Sequence, residues 1–153
     1  MNLQVGDPAP DFELLSHQGN KVRLSTFRGR KSVILAFHPL AFTPICSAQM
    51  RNYEADKAWF DTHEVNLFGI SVDASPAKTE WAKALGGVSF DLLSDFHPHG
   101  AVASAYGVLR EDGISERAIF VVDKAGTLVF AKVYDIPTLP DNAEVRQVIT
   151  GLG

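Results

Sequence analysis

The stretch from Ser32 to Cys46 constrains this chain more than any other. Ser32 to Phe37 reads SVILAF, an apolar run with no alternation, the pattern of a strand buried on both faces. His38-Pro39 closes it, because proline has no N–H to give to a ladder. Thr43-Pro44 then predicts a helix start, with threonine as N-cap and proline at the first helical position. That places Cys46, the only cysteine, in the first helical turn. Unpaired N–H groups and the positive end of the helix dipole there favour a thiolate over a thiol. A lone cysteine is commonly just a small buried hydrophobe; a place at the mouth of a helix argues for a nucleophile.

The remaining order is readable in outline. Pro8 and Pro10 exclude a helix from the lead-in. Phe12 to Leu15 and Lys21 to Leu24 predict a hairpin around the polar turn Ser16 to Asn20. Cys46, Met50, Tyr53 and Phe60 lie at helical spacing, so one helix is expected from Thr43 to about Thr62, with Tyr53, Trp59 and Phe60 as core aromatics. Val65 to Val72 reads as a second buried strand. Ser75-Pro76 repeats the cap-and-proline start, opening a helix that ends at Gly86-Gly87. A short strand over Phe90 to Leu93, a short helix over Ala101 to Tyr106, a hairpin of Arg117 to Val122 with Leu128 to Val133, and a closing helix over Asp141 to Leu152 complete the pattern. Strands alternating with helices imply an α/β protein, a three-layer α/β/α sandwich on a mixed central sheet. The 153 residues are expected to form a single domain.

Net charge of −4 gives no global attraction to nucleic acid or an anionic membrane. The basic run Lys21, Arg23, Arg28, Arg30 and Lys31 reads as a solvated face. One cysteine excludes an intrachain disulfide and fits a reducing compartment. Met1 to Phe12 shows neither a basic nor an apolar signal region, and no apolar run approaches the ~20 residues of a membrane helix. A cytoplasmic protein is expected.

The pattern Pro-x-x-x-Thr-x-x-Cys, formed by Pro39, Thr43 and Cys46, resembles the active-site loop of the peroxiredoxins, the alkyl hydroperoxide reductase/thiol-specific antioxidant family. Asp11-Phe12 with Leu14, Ser71-Val72-Asp73, Leu93-Ser94-Asp95, Ala105-Tyr106-Gly107 and Arg117 ahead of Phe120-Val121-Val122-Asp123 follow in the family's order. The resemblance is strongest to the one-cysteine, alkyl hydroperoxide reductase E type. It implies a thioredoxin fold with an N-terminal β-hairpin extension. It also implies a thiol-dependent peroxidase that reduces hydrogen peroxide and organic hydroperoxides through a sulfenic acid at Cys46. With no second cysteine, an external thiol would recycle the enzyme: a thioredoxin, a glutaredoxin-like protein or a low-molecular-weight thiol.

The same resemblance assigns the site. Cys46 is the peroxidatic nucleophile. Thr43 keeps a hydroxyl proton beyond its capping role, to be donated to the thiolate or the peroxide. Pro39 is a strand terminator by its residue type and a shield for the sulfur by resemblance. Arg117 opens an apolar strand, where an arginine is usually an edge charge; the resemblance turns it toward the sulfur, where a guanidinium holds the thiolate and polarises the leaving oxygen. Gln49 departs from the glutamate that orients the arginines in many members, and an amide supplies hydrogen bonds without charge. A homodimer is implied, packed through the stretch around Ala41-Phe42, the loop Asp95 to Pro98 and the residues before Arg117. No cofactor and no metal are expected. The competing reading is a non-enzymatic thioredoxin-fold module: a redox sensor, or a metal-binding protein using Cys46 with His38, His97 and His99. No Cys-x-x-Cys or His-Glu-x-x-His accompanies those histidines, so they read as exposed or hydrogen-bonded side chains.

Overall fold

The computed structural model describes residues 3–152. Its strands are β1 (Glu13–Ser16), β2 (Lys21–Arg23), β3 (Ser32–Phe37), β4 (Val65–Ser71), β5 (Asp91–Ser94), β6 (Arg117–Val122) and β7 (Leu128–Tyr134). They lie in one sheet in the order β2-β1-β5-β4-β3-β6-β7. The helices are α1 (Pro44–Ala55), α2 (Lys57–Thr62), α3 (Ser75–Ala84), α4 (Ala101–Ala105) and α5 (Asn142–Gly151).

The unalternating run of β3 has its reason in this order. β4 lies parallel on one side and β6 antiparallel on the other, and every residue of β3 is buried. Ile34 and Ala36 face a core shared with Met50 of α1, Phe60 of α2, Trp81 of α3 and Ile149 of α5. Val33, Leu35 and Phe37 face a second core with Phe12, Ala103 of α4 and Tyr106. Full burial of such side chains contributes about 1.5–3 kcal/mol each, so a polar substitution at any position from Val33 to Phe37 would be costly on either face. Helices therefore cover both faces of a mixed sheet, the expected three-layer thioredoxin fold. The hairpin pairs Glu13 with Arg23, and β1 joins β5, which makes the N-terminal extension part of the main sheet.

Two expectations are corrected. The helix after Thr43 is two helices that meet at Asp56, whose backbone leaves the helical range (φ −99, ψ 6). The Asp56 carboxylate accepts from Asn142 Nδ2 at 2.8 Å and is ion-paired with Arg146, so α5 holds the break. Ser75 is not a cap: α3 begins at Ser75 itself, with Ala74 at the N-cap, and the Ser75 hydroxyl donates to the Ser16 carbonyl at 2.9 Å. Arg117 opens an inner strand and not a sheet edge, because β6 pairs with β3 on one side and β7 on the other.

Gly69 has a packing reason to be glycine. A Cβ there would stand 2.9 Å from Met50 Sδ and 3.0 Å from Leu92 Cδ2. Its absence lets α1 lie close on the sheet one turn beyond Cys46.

Candidate active site

The chain leaving β3 is pinned residue by residue. The His38 N–H donates to the Ile70 carbonyl at 2.9 Å, extending the ladder by one step. Pro39 is buried and ends it. The Ala41 N–H donates to Asp73 Oδ2 at 2.8 Å, and the same oxygen accepts from the Ser71 hydroxyl at 2.6 Å. Phe42 adopts the left-handed region at φ 69, costly for a residue with a Cβ and typical of a constrained loop. Thr43 then occupies the N-cap, Pro44 begins α1, and Cys46 stands in the first turn as expected.

The Thr43 side chain does not do what its type suggests. It makes no capping hydrogen bond; its hydroxyl donates to the Leu40 carbonyl at 2.8 Å. Thr43 therefore holds the expected N-cap position without the expected capping bond, and the hydroxyl proton expected to reach the thiolate or the peroxide is directed at Leu40. The tight turn from Leu40 to Thr43 brings that carbonyl closer than any helix N–H. The hydroxyl's lone pairs are left to accept.

Cys46 has no exposed surface (0%). Arg117, 2% exposed, points Nη1 at Cys46 Sγ from 3.4 Å and at Gln49 Oε1 from 2.7 Å, while its Nε donates to the Ile136 carbonyl at 2.9 Å. Gln49 is buried one turn along α1 from Cys46, and its Nε2 donates to the Tyr53 hydroxyl at 2.9 Å. Burial pushes Tyr53 up to about 12, so its oxygen stays a neutral acceptor. Among the described residues no carboxylate touches the guanidinium, and its partners are two neutral oxygens and the sulfur. A full positive charge in a buried setting is thus directed at Cys46, where it favours negative sulfur and a departing oxyanion.

Of the histidines, only His38 lies by the site, and it is committed elsewhere. Its ring packs tilted against Trp81, centroids 5.0 Å apart, and Nε2 meets Lys78 Nζ at 3.2 Å. Burial, then the charges of Lys78 and Arg117, push it well below the ordinary imidazole range. His97 and His99 are exposed, and His99 Nε2 lies 2.6 Å from the Gly113 carbonyl. Among the described residues, no group of three or more His, Cys, Asp or Glu side chains is arranged to hold a metal. The set imagined for metal binding is not assembled.

Sequence reasoning missed three contributors. Asp73 anchors the loop through Ala41. The Trp81 indole Nε1 donates to the Ser47 hydroxyl at 3.1 Å, tying α3 to the first turn of α1. Lys78 is wholly buried beneath the loop. Its signal was its spacing, three residues before Trp81 on the apolar stripe of α3, where a lysine is out of place.

The AhpC/TSA family model matches residues 5–131. Alkyl hydroperoxide reductase E of Mycobacterium tuberculosis is 43% identical over 132 residues, 86% of each chain. The chloroplastic 2-cysteine peroxiredoxin of Chattonella marina var. antiqua is 30% identical over 145 residues, 89% of this chain and 73% of its own. Among solved structures, the reduced 2-Cys peroxiredoxin of Plasmodium vivax superposes with a TM-score of 0.91 at 28% identity, covering 99% of this chain and 82% of that one.

Proposed function

The chain belongs to the AhpC/TSA family, and on that premise we propose that it is a one-cysteine thiol-dependent peroxidase with Cys46 as its nucleophile. The Cys46 thiolate attacks one oxygen of hydrogen peroxide or an organic hydroperoxide. An S–O bond forms, the O–O bond breaks, and hydroxide or alkoxide leaves and is protonated. Arg117 Nη1, 3.4 Å from Sγ, is the donor nearest the developing charge, and this contact is the single observation that carries the reading. Thr43, its proton already given to Leu40, accepts the O–H of the incoming peroxide. Pro39 contributes a buried wall with no polar donor, keeping water from the sulfur.

Cys46 ends as a sulfenic acid, and the chain has no other cysteine to resolve it. An external thiol forms a mixed disulfide, and a second thiol releases the enzyme. A sulfur with no exposed surface meets another thiol only when the first turn of α1 opens. A thioredoxin, a glutaredoxin-like protein or a small thiol fits that role. We also read the protein as a cytoplasmic homodimer. The lone cysteine supports the compartment, and exposed Phe42 and Phe96 support the assembly. Among the described residues no helix is long and apolar enough to cross a membrane.

Stopped-flow mixing with peroxide tests the proposal. Wild type should consume peroxide rapidly and lose one titratable thiol per chain, and Cys46→Ser should be inert. Equal turnover by Cys46→Ser would end the reading.

A further inference from the structure

Among the described residues, Lys78 is the one buried charge near the site that the peroxidase reading leaves without a task. Its side chain is 0% exposed. The amine donates to the Leu93 carbonyl at 2.8 Å and the Gly69 carbonyl at 3.2 Å, and meets His38 Nε2 at 3.2 Å. All three partners are uncharged. A buried cation with no anion in contact is costly unless charge is balanced through space or the proton is given up.

The groups facing it from each neighbouring element show where that balance lies. His38 at the end of β3 is neutral, and Arg117 on β6 acts on the same ring. His17, beyond β1, also feels Lys78, with Asp91 of β5 opposing. The anions acting on the amine are Asp73 after β4, Cys46 on α1 and Asp95 after β5. Asp73 is held by Ala41 and Ser71, and Asp95 accepts from the N–H groups of Val102 and Ala103. Neither takes part in the chemistry at the sulfur. Cys46 alone changes charge during the reaction.

We infer that Lys78 is a positioning residue whose ammonium balances the Cys46 thiolate from behind the active-site loop and releases its proton when oxidation removes that charge. The inference rests on Cys46 being the peroxidatic thiolate. The balance closes: thiolate, hydrogen peroxide and ammonium become sulfenic acid, water and amine. Sulfur is oxidised by two electrons, the peroxide is reduced, and the proton that turns hydroxide into water is matched by the one Lys78 gives to solvent. Burial pushes Lys78 down to about 7, against the pull of Asp73, Cys46 and Asp95, so the amine responds near neutral pH. While Lys78 is an ammonium, His38 Nε2 accepts and the ring proton sits on Nδ1. That nitrogen has no well-formed partner. The Leu40 carbonyl, which favours a proton on the ring, also takes the Thr43 hydroxyl. The charge on Lys78 therefore bears on the loop as well as on the sulfur.

The test reads Lys78 itself. With isotope-labelled lysine, NMR follows the Lys78 amine across pH in reduced wild type and in Cys46→Ser, which never carries the thiolate. The Lys78 midpoint should fall in Cys46→Ser, several-fold or more in proton affinity, and an unchanged midpoint overturns the inference. A second reading uses an indicator dye in weak buffer at about pH 7, near the Lys78 midpoint. Wild type should take up fewer protons per Cys46 oxidised than Lys78→Met; equal uptake overturns the coupling. The two levels separate cleanly. Peroxide turnover by Cys46→Ser defeats the peroxidase reading, whereas a reactive wild type with an indifferent Lys78 defeats only the inference.

Discussion

Arg117 Nη1 serves two acceptors at once, the Cys46 sulfur and the Gln49 amide oxygen. Replacing the guanidinium removes a charge aimed at the departing oxygen, and losing such a donor commonly costs about 100-fold or more in rate. Arg117→Met should therefore slow peroxide reduction by about that factor in stopped-flow. It should also lower stability, by about 1–3 kcal/mol, since the Gln49 amide oxygen and the Ile136 carbonyl lose their donor. Gln49→Leu leaves Arg117 in place but less well aimed, so a smaller loss is expected, on the order of tenfold. The double variant should be no slower than Arg117→Met alone, because the amide acts only through the guanidinium. Additive losses would assign Gln49 a separate role. Thr43 belongs to the same scale. Its side chain makes no cap bond, so Thr43→Val should lose less than the ~1 kcal/mol of a working N-cap in denaturant titration. Its peroxide rate should fall clearly, and Thr43→Ser should restore it.

The placement of Cys46 is the work of three elements rather than of α1 alone. Met50 packs where Gly69 lacks a Cβ, Trp81 of α3 holds Ser47, and Asp73 holds Ala41. Gly69→Ala would drive a methyl against Met50 and Leu92. Overpacking of this kind costs about 1–3 kcal/mol, and the relief available is a shift of α1 away from the sheet. We expect both a lower denaturation midpoint and a slower peroxide rate, because the shift carries Cys46 away from Arg117. If the rate held while stability fell, the helix would have absorbed the methyl elsewhere.

At the scale of the molecule, Lys78 makes stability depend on pH. Its native value, about 7, lies below the ordinary 10.5. Between them the unfolded chain holds a proton that the native chain lacks, so stability rises as pH rises through that window, by up to about 1.4 kcal/mol per pH unit. Below that window the full cost of the buried ammonium is present. His38 works in the acid direction: its native value is depressed, so the unfolded chain gains a proton and stability falls as pH drops below the ordinary imidazole value. At the alkaline end Tyr53, raised to about 12, ionises first in the unfolded chain and reverses the trend. Denaturant titrations from about pH 7 to 10 should show wild type gaining stability relative to Lys78→Met; parallel curves would mean that Lys78 carries no such shift. Assembly belongs here too. Phe42 and Phe96 are 57% and 56% exposed on loops at the active-site end, a wasteful arrangement for an isolated chain. Wild type should sediment as a dimer at micromolar concentration, and the Phe42→Asp, Phe96→Asp pair as a monomer with a slower peroxide reaction.

The amino-acid sequence by itself determined what depends on neighbours along the chain. SVILAF had to be an inner strand, because a run apolar on both sides has no face to give to water. Thr43-Pro44 had to begin a helix, because proline fits only its first turn, and Cys46 followed by counting. Arg117 was legible only through its resemblance to a known pattern; nothing local distinguishes a strand-opening arginine that faces solvent from one that faces sulfur. Tertiary structure alone decided the rest. Asp56 breaks its helix because Arg146, 90 residues later, claims its carboxylate. Thr43 gave its proton to Leu40 because a turn pinned by Asp73 brings that carbonyl near. Lys78 points inward because Gly69, Leu93 and His38, on three different strands or strand ends, meet beneath the loop. Contacts of that kind are chosen by which elements pack together, and no window of local sequence contains them.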